Sequence, residues 1–174
     1  KAFRGDRPSS ASLLPAWPRG TQGREAGVLH FRAAGEQGDF ERCNGVAFCD
    51  MSGVGGEQDQ EAAVEWFRRA AEQGDATAQY NLAHCYQEGT GVPADEKEAL
   101  VWMKRAAEQG AELAQYNLGL RYLHGRGVSK DATQAVYRFR QAAEQGDAEA
   151  QFQLAGCYEK GERGAFYRMI RRLP

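Results

Sequence analysis

Gly38, Gly74, Gly110 and Gly146 stand 36 residues apart, and the last three each close the same five residues, Ala-Ala-Glu-Gln-Gly, at 70–74, 106–110 and 142–146. Self-similarity at a fixed period of roughly 20 to 50 residues marks units that bury their apolar faces only by stacking on one another. The period therefore predicts one elongated domain that offers a binding surface rather than a catalytic pocket. Laying 75–110 over 111–146 without a gap gives sixteen identities, among them the run Ala78-Gln79-Tyr80-Asn81-Leu82 over Ala114-Gln115-Tyr116-Asn117-Leu118.

Within each unit two helices are legible. Ala78, Leu82, Cys85 and Tyr86 fall on one helical face, and Ala99, Met103, Ala106 and Ala107 on one face of a second, the spacing of an amphipathic pair. Between them Gly89-Thr-Gly91-Val92-Pro93 recurs as Gly125-Arg-Gly127-Val128-Ser129, a stretch too short and glycine-rich for anything but a turn. Asp95 and Asp131 follow, with Glu98 and Gln134 three positions on. This is the spacing of an N-cap and capping box, in which the cap residue contributes about 1 kcal/mol. Gly74, Gly110 and Gly146 are placed to end the second helices, where a left-handed residue is needed.

Composition narrows the function classes. A net charge of −2 over 174 residues leaves no whole-domain basic field of the kind that phosphate binding requires. No apolar run approaches the roughly 18 to 20 residues that span a bilayer, and no apolar core of a signal peptide is visible near the start. Residues 1–24, rich in Pro, Ser and Arg, are expected to be a disordered arm, with an organelle-targeting remnant as the competing reading. Without a signal core or pairable cysteines the compartment stays open, with a lean to the cytoplasm.

Cys49, Cys85 and Cys157 share one repeat phase, and Arg121 fills the missing slot. Equivalent positions in adjacent repeats lie two helices apart, roughly 16 to 20 Å, whereas a disulfide needs Cα atoms within about 7 Å. Cys43 and Cys49 rise roughly 9 Å along one helix, so they do not pair either. Buried free thiols are expected. His30, His84 and His124 differ in phase and show no third ligand at metal-binding spacing, so no metal and no cofactor are expected. Trp66 and Trp102 share a phase with Arg138, which reads as packing between repeats.

Taken together, Glu-x-Ala-Gln-Tyr-Asn-Leu-Gly-Leu-x-Tyr at 112–122 with its equivalent at 76–86, the Gly-x-Gly-Val turn and Ala-Ala-Glu-Gln-Gly resemble the SEL-like repeat. That family is similar to the tetratricopeptide repeat with a longer inter-helix loop. The resemblance implies an all-α, right-handed α/α superhelical solenoid of helix-turn-helix repeats, acting mostly in adaptor and assembly roles. It covers roughly 24–161 and divides the chain into the arm 1–24, a solenoid 25–161 and a basic C-terminal cap or tail 162–174. Within the solenoid 75–110 and 111–146 are full units, 39–74 is degraded and 147–161 partial. In 39–74, Asn44 and Gly45 replace Tyr-Asn, and Asp50 replaces the second tyrosine. This pair is expected to be the weakest, because a mid-helix Gly costs about 1 kcal/mol and a packing-face Asp needs a partner. After Gly161 the turn is cut short and Tyr167 stands where the capping Asp belongs.

Some secreted SEL-like proteins are linked to antibiotic binding and carry a disulfide between the helices of each repeat. This chain lacks that cysteine spacing, and none of Ser9, Ser10, Ser12, Ser52 or Ser129 has a lysine three residues on, so the acylating motif of that chemistry is missing. By position, the resemblance assigns the concave face to Tyr80, His84, Gln87 and Glu88 in one unit, Tyr116, Leu120, Leu123 and His124 in the next, and Phe152 in the third. Aromatic anchors with a polar rim suit a peptide, although Tyr80, Tyr116 and Phe152 equally suit packing against a neighbouring helix. The expectation is a non-enzymatic scaffold that binds a protein or peptide segment. A β-lactamase-like antibiotic-binding protein and a purely structural spacer within a longer repeat protein are the alternatives.

Overall fold

The computed structural model describes residues 29–30, 32–33, 35–36, 40–54 and 56–159; the expected arm at 1–24 and the tail at 162–174 lie outside them. Seven helices follow one another: α1 (Phe40–Ser52), α2 (Gln60–Glu72), α3 (Ala76–Glu88), α4 (Glu96–Glu108), α5 (Glu112–His124), α6 (Ala132–Glu144) and α7 (Ala148–Glu159). The described residues between 29 and 36 are helical as well, and no strand occurs among the described residues. This is the all-α helical-repeat fold that the 36-residue period implies. The chain divides into two compact units: one runs to Asp95 and carries α1 to α3, the other begins at Glu96 and carries α4 to α7.

The helices start and stop where local chemistry dictates. Asp59 accepts a hydrogen bond from the backbone N–H of Ala62, Asp75 from Ala78, and Asp131 from Thr133 and Gln134. Asp147 does the same for Ala150 at 2.7 Å. These carboxylates satisfy amide donors that have no partner within the first helical turn and complement the positive end of the helix dipole. Asp75 and Asp147 belong to the period, yet Ala111 between them makes no side-chain cap. At the other ends Gly74, Gly110 and Gly146 take φ of +95°, +90° and +102°, so the chain leaves each second helix through a left-handed residue.

The same helix ends receive a second set of bonds from the helix that follows. Gln79 on α3 donates to the carbonyl of Ala71 on α2 at 3.0 Å, Gln115 on α5 to Ala107 on α4 at 3.2 Å, and Gln151 on α7 to Ala143 on α6 at 3.3 Å. Gln79 and Gln115 are each only 3% exposed. A buried amide is tolerated because it is itself satisfied: each carbonyl already accepts the N–H of Gly74, Gly110 or Gly146 and offers the glutamine its second lone pair. In the second unit Gln145 adds bonds to the carbonyl of Gly110 and to the side-chain oxygen of Gln115. Between α2 and α3 Arg68 donates to the Tyr86 hydroxyl at 3.1 Å, and between α6 and α7 Arg140 donates to Tyr158 at 3.5 Å.

Apolar packing fills the rest. Cys43, Val46, Val64, Phe67 and Leu82 form the core of the first unit, and Met103, Leu118 and Phe139 are buried in the second. The four cysteines are buried. Trp66 and Trp102 are each 9% exposed, with the guanidinium groups of Arg69 and Arg105 stacked 4.9 and 4.7 Å from their ring centroids. The departures of the degraded unit find partners. Asp50, 2% exposed, accepts from Arg32 at 2.5 Å, and Asn44 donates to Asp75 at 2.7 Å. Arg121, in the cysteine phase, is buried and pairs with Glu96.

Two helical glycines differ in what surrounds them. A Cβ on Gly45 would meet nothing within 4 Å, whereas one on Gly119 would lie 2.7 Å from the Phe139 ring. Replacing Gly45 with Ala is therefore expected to stabilise the protein by about 1 kcal/mol in urea unfolding. Gly119→Ala gains the same propensity term but overpacks the core at roughly 1 to 3 kcal/mol, for a net loss. In a Phe139→Met background, which reproduces the Met103 found 36 residues earlier, Gly119→Ala should become stabilising.

A second expectation concerns the buried amide. Gln79→Leu removes a buried side-chain hydrogen bond while the Ala71 carbonyl keeps the backbone N–H of Gly74 at 3.1 Å, so it should cost about 0.5 to 1.5 kcal/mol, read in the same unfolding measurement.

Candidate functional site

The candidate face is built on the first helix of each repeat. On α3, in the first unit, Tyr80 is half-buried and His84, Gln87 and Glu88 are exposed, with the Gln87 amide donating to the Glu88 carboxylate at 2.9 Å. These four rise along one side of the helix at spacings of four, three and one, so an aromatic ring leads into a polar rim. Leu82, on the opposite side, is fully buried and fixes which way the face turns.

The second unit divides its residues differently. Tyr116, Leu120 and Leu123 are partly buried against the core of Ala135, Val136, Phe139 and Ala142, whereas His124 is exposed. The Tyr116 ring lies 5.9 Å from that of Phe139, tilted by 47°, a geometry that aromatic quadrupoles favour. Glu149 and Gln153 on α7 lie beside its hydroxyl. Burial and the Glu149 carboxylate push its ionisation above the usual tyrosine range, so it remains a neutral donor at physiological pH. Phe152, in the same repeat phase, is 75% exposed.

The aromatic positions therefore do not play one part. Tyr116 is both packing residue and surface residue, and Phe152 is an open surface ring. Asn117, of the Tyr-Asn pair, donates to the Leu113 carbonyl on its own helix at 2.8 Å, which braces the backbone.

The sequence reading assigned no residue of α1 to the face. Phe48 occupies the phase of His84 and Leu120 and is 41% exposed, and subtracting one period of 36 from 84 would have found it. Asn44 was noted only as a departure from tyrosine; it holds the Asp75 cap, a bond that depends on three-dimensional proximity over 31 residues.

No group of His, Cys, Asp and Glu among the described residues is arranged to hold a metal ion. No helix among them is long and apolar enough to cross a membrane. A shallow open cleft of about 700 Å³ lies between the start of α2 and the turn after α3, lined by polar and turn residues including Asp59, Glu61, Gly91 and Pro93. It brings no nucleophile and base together.

The Sel1 repeat family matches at residues 43–75, 76–110, 112–147 and 148–166. No curated protein matches the chain. Among solved structures it is similar to a Sel1 repeat protein from Oxalobacter formigenes, at 38% identity and a TM-score of 0.76 over 79% of this chain and 40% of the other. It is also similar to c5321, a protective antigen of uropathogenic Escherichia coli strains displaying an SLR fold, at 33% identity and a TM-score of 0.74 over 80% of this chain and 30% of the other. Cysteine rich protein B of Helicobacter pylori shares the fold at 20% identity and a TM-score of 0.62, over 77% of this chain and 96% of the other. The chain thus spans less than half the length of the first two.

On the far side of α3 from the candidate face, burial pushes the Cys85 thiol up to about 11 from an ordinary 9.0. Because the folded-state value is raised, the stability that depends on the neutral thiol is intact below pH 9 and is lost as pH rises toward 11. The urea midpoint of the parent should fall more steeply between pH 9 and 11 than that of Cys85→Ala, and equal slopes would remove Cys85 as the cause.

Proposed function

Because the chain belongs to the Sel1 repeat family, whose members are generally non-catalytic repeat scaffolds for protein interactions, we propose that it binds an extended peptide or protein segment on its first helices. The surfaces are those of α3 in the first unit and of α5 and α7 in the second. Tyr80, Tyr116 and Phe152 supply aromatic anchors, and His84, Gln87, Glu88 and His124 supply a polar rim. Leu120 and Leu123 support the α5 surface from beneath.

Tyr116 carries the reading. Its ring packs against Phe139 and its hydroxyl lies beside α7, so a partner meets an aromatic side chain whose rotamer freedom is already restricted. Ordering a rotamer-rich side chain on binding costs about 0.5 to 1.5 kcal/mol, and a fixed ring avoids most of that cost. Phe152 adds open apolar area beside it, and aromatic anchors of this type dominate the energetics of protein interfaces. A role in complex assembly or regulation follows from segment binding, with the partner set by sequence-specific contacts along the rim.

Selection of a random twelve-residue peptide library on the full chain is expected to yield binders. A chain carrying His84→Ala, Tyr116→Phe and Phe152→Ala should bind them at least about tenfold more weakly. Those substitutions fall on exposed side chains or remove only a hydroxyl, so circular dichroism should be unchanged. Undiminished binding would move the site to another face, and a selection that yields no peptide would favour the structural spacer.

A further inference from the structure

The first turns of α5 and α7 carry a patch that the rest of the proposed face does not repeat. Leu113 and Glu149 share one repeat phase, and Tyr116 and Phe152 share the phase one turn later. Leu113 is 52% exposed and Phe152 75%, and Glu149 is exposed as well. Residues three apart on a helix are surface neighbours, and the Tyr116 hydroxyl lies beside Glu149. Leu113 and Tyr116 on α5 therefore continue into Glu149 and Phe152 on α7. In the first unit the same two phases of α3 hold Thr77 and Tyr80, with no charge between them.

The charge of this patch is negative and is not neutralised from within. The Tyr116 hydroxyl feels the Asp147 carboxylate in addition to that of Glu149. From Ala148 to Glu159 the sequence of α7 contains no Lys, Arg or His, and no cation among the described residues pairs with Glu149. On α5 Arg121 is buried against Glu96. His124 stands at the far end of that helix, roughly 16 Å from Leu113 by helical rise and about twice the Debye length at physiological salt. A single exposed apolar residue is ordinary. Two of them flanking an uncompensated carboxylate complement a ligand that carries a cation next to an apolar group.

We propose that this patch takes an arginine or lysine side chain of the bound segment at Glu149, with an apolar side chain two residues away lying on Phe152. The spacing matches an extended peptide. Residues three apart on a helix hold their Cβ atoms about 5 to 6 Å apart, and alternate side chains of an extended chain emerge on one side about 6.5 Å apart. Arginine should outdo lysine, because its planar fork engages both oxygens of a carboxylate. The inference rests on the proposed function and names the chemistry of the segment that the second unit selects.

Peptides selected on the full chain from the random library, sequenced and resynthesised, test the assignment. Arginine or lysine two positions from an apolar residue should be over-represented among them. Against one such peptide, Glu149→Gln should weaken binding at least about threefold and Glu149→Lys at least about tenfold. Glu144→Gln, an equal loss of charge at an exposed position of α6, should leave the affinity unchanged. Glu149→Gln keeps a polar side chain beside the Tyr116 hydroxyl, and an unchanged urea midpoint separates lost binding from lost folding. With the basic residue of the peptide replaced by Glu, the Glu149→Lys chain should bind more tightly than the parent. Equal effects of Glu149→Gln and Glu144→Gln, or a charge-reversed peptide that still prefers the parent, would overturn the proposal. Peptides without a basic residue that are lost on Phe152→Ala and indifferent to Glu149→Gln would overturn it while leaving the proposed function standing. A library that yields no binder would overturn both.

Discussion

The carbonyls at the end of each second helix set the terms for the rest of the structure. An α-helix leaves its last four carbonyls without donors from within the helix, and in this chain two sources supply them. A left-handed glycine turns the chain back, and a glutamine near the start of the following helix returns an amide donor to the exposed end: Gln79 to Ala71, Gln115 to Ala107 and Gln151 to Ala143. Each of these carbonyls thus accepts twice, from the glycine N–H and from the glutamine amide. The glutamine lies eight residues after the carbonyl it meets in each case, which fixes where the next helix starts, how it is rotated and which side it turns outward. The orientation of Tyr80 and Tyr116, each one residue after its glutamine, follows from that bond.

Much of this was legible in the chain because the repeat writes the same solution several times. The period, the helix pair, the Gly-rich turn and the glycine after each second helix all come from local rules, and local rules survive in one dimension. Asp131 as a cap was equally legible. Gln79 was visible only as an identity, since nothing in its own segment reveals that its amide satisfies a carbonyl on another helix. Asn44 and Asp50 read as flaws of a weakened unit, yet each meets a charged partner 31 or 18 residues away. Phe48 was missed for a simpler reason, because the degraded unit was compared by motif rather than by phase.

The candidate face was less legible than the fold, and the cause is geometric. A helix has more than two sides, and a residue midway between the buried and exposed sides serves both. Leu120 and Leu123 fall in that zone and lean on the Phe139 core, while His124 on the same helix, and His84, Gln87 and Glu88 in the first unit, are exposed. Phase alone assigns all of them to one stripe. Only the neighbouring helix decides how much of each remains available to a ligand.

Gly119 and Phe139 also bear on how such a chain avoids confusing its own parts. Repeated sequence invites alignment errors in which one copy takes the place of another, a recognised failure of repeat proteins. Were α3 to settle where α5 belongs, Ala83 would bring a methyl into the space that Gly119 leaves for the Phe139 ring, and Cys85 would stand where Arg121 meets Glu96. The differences between copies thus work as a vernier: the units agree closely enough to share one architecture, and they disagree at the few places that distinguish a correct alignment from one displaced by a whole repeat.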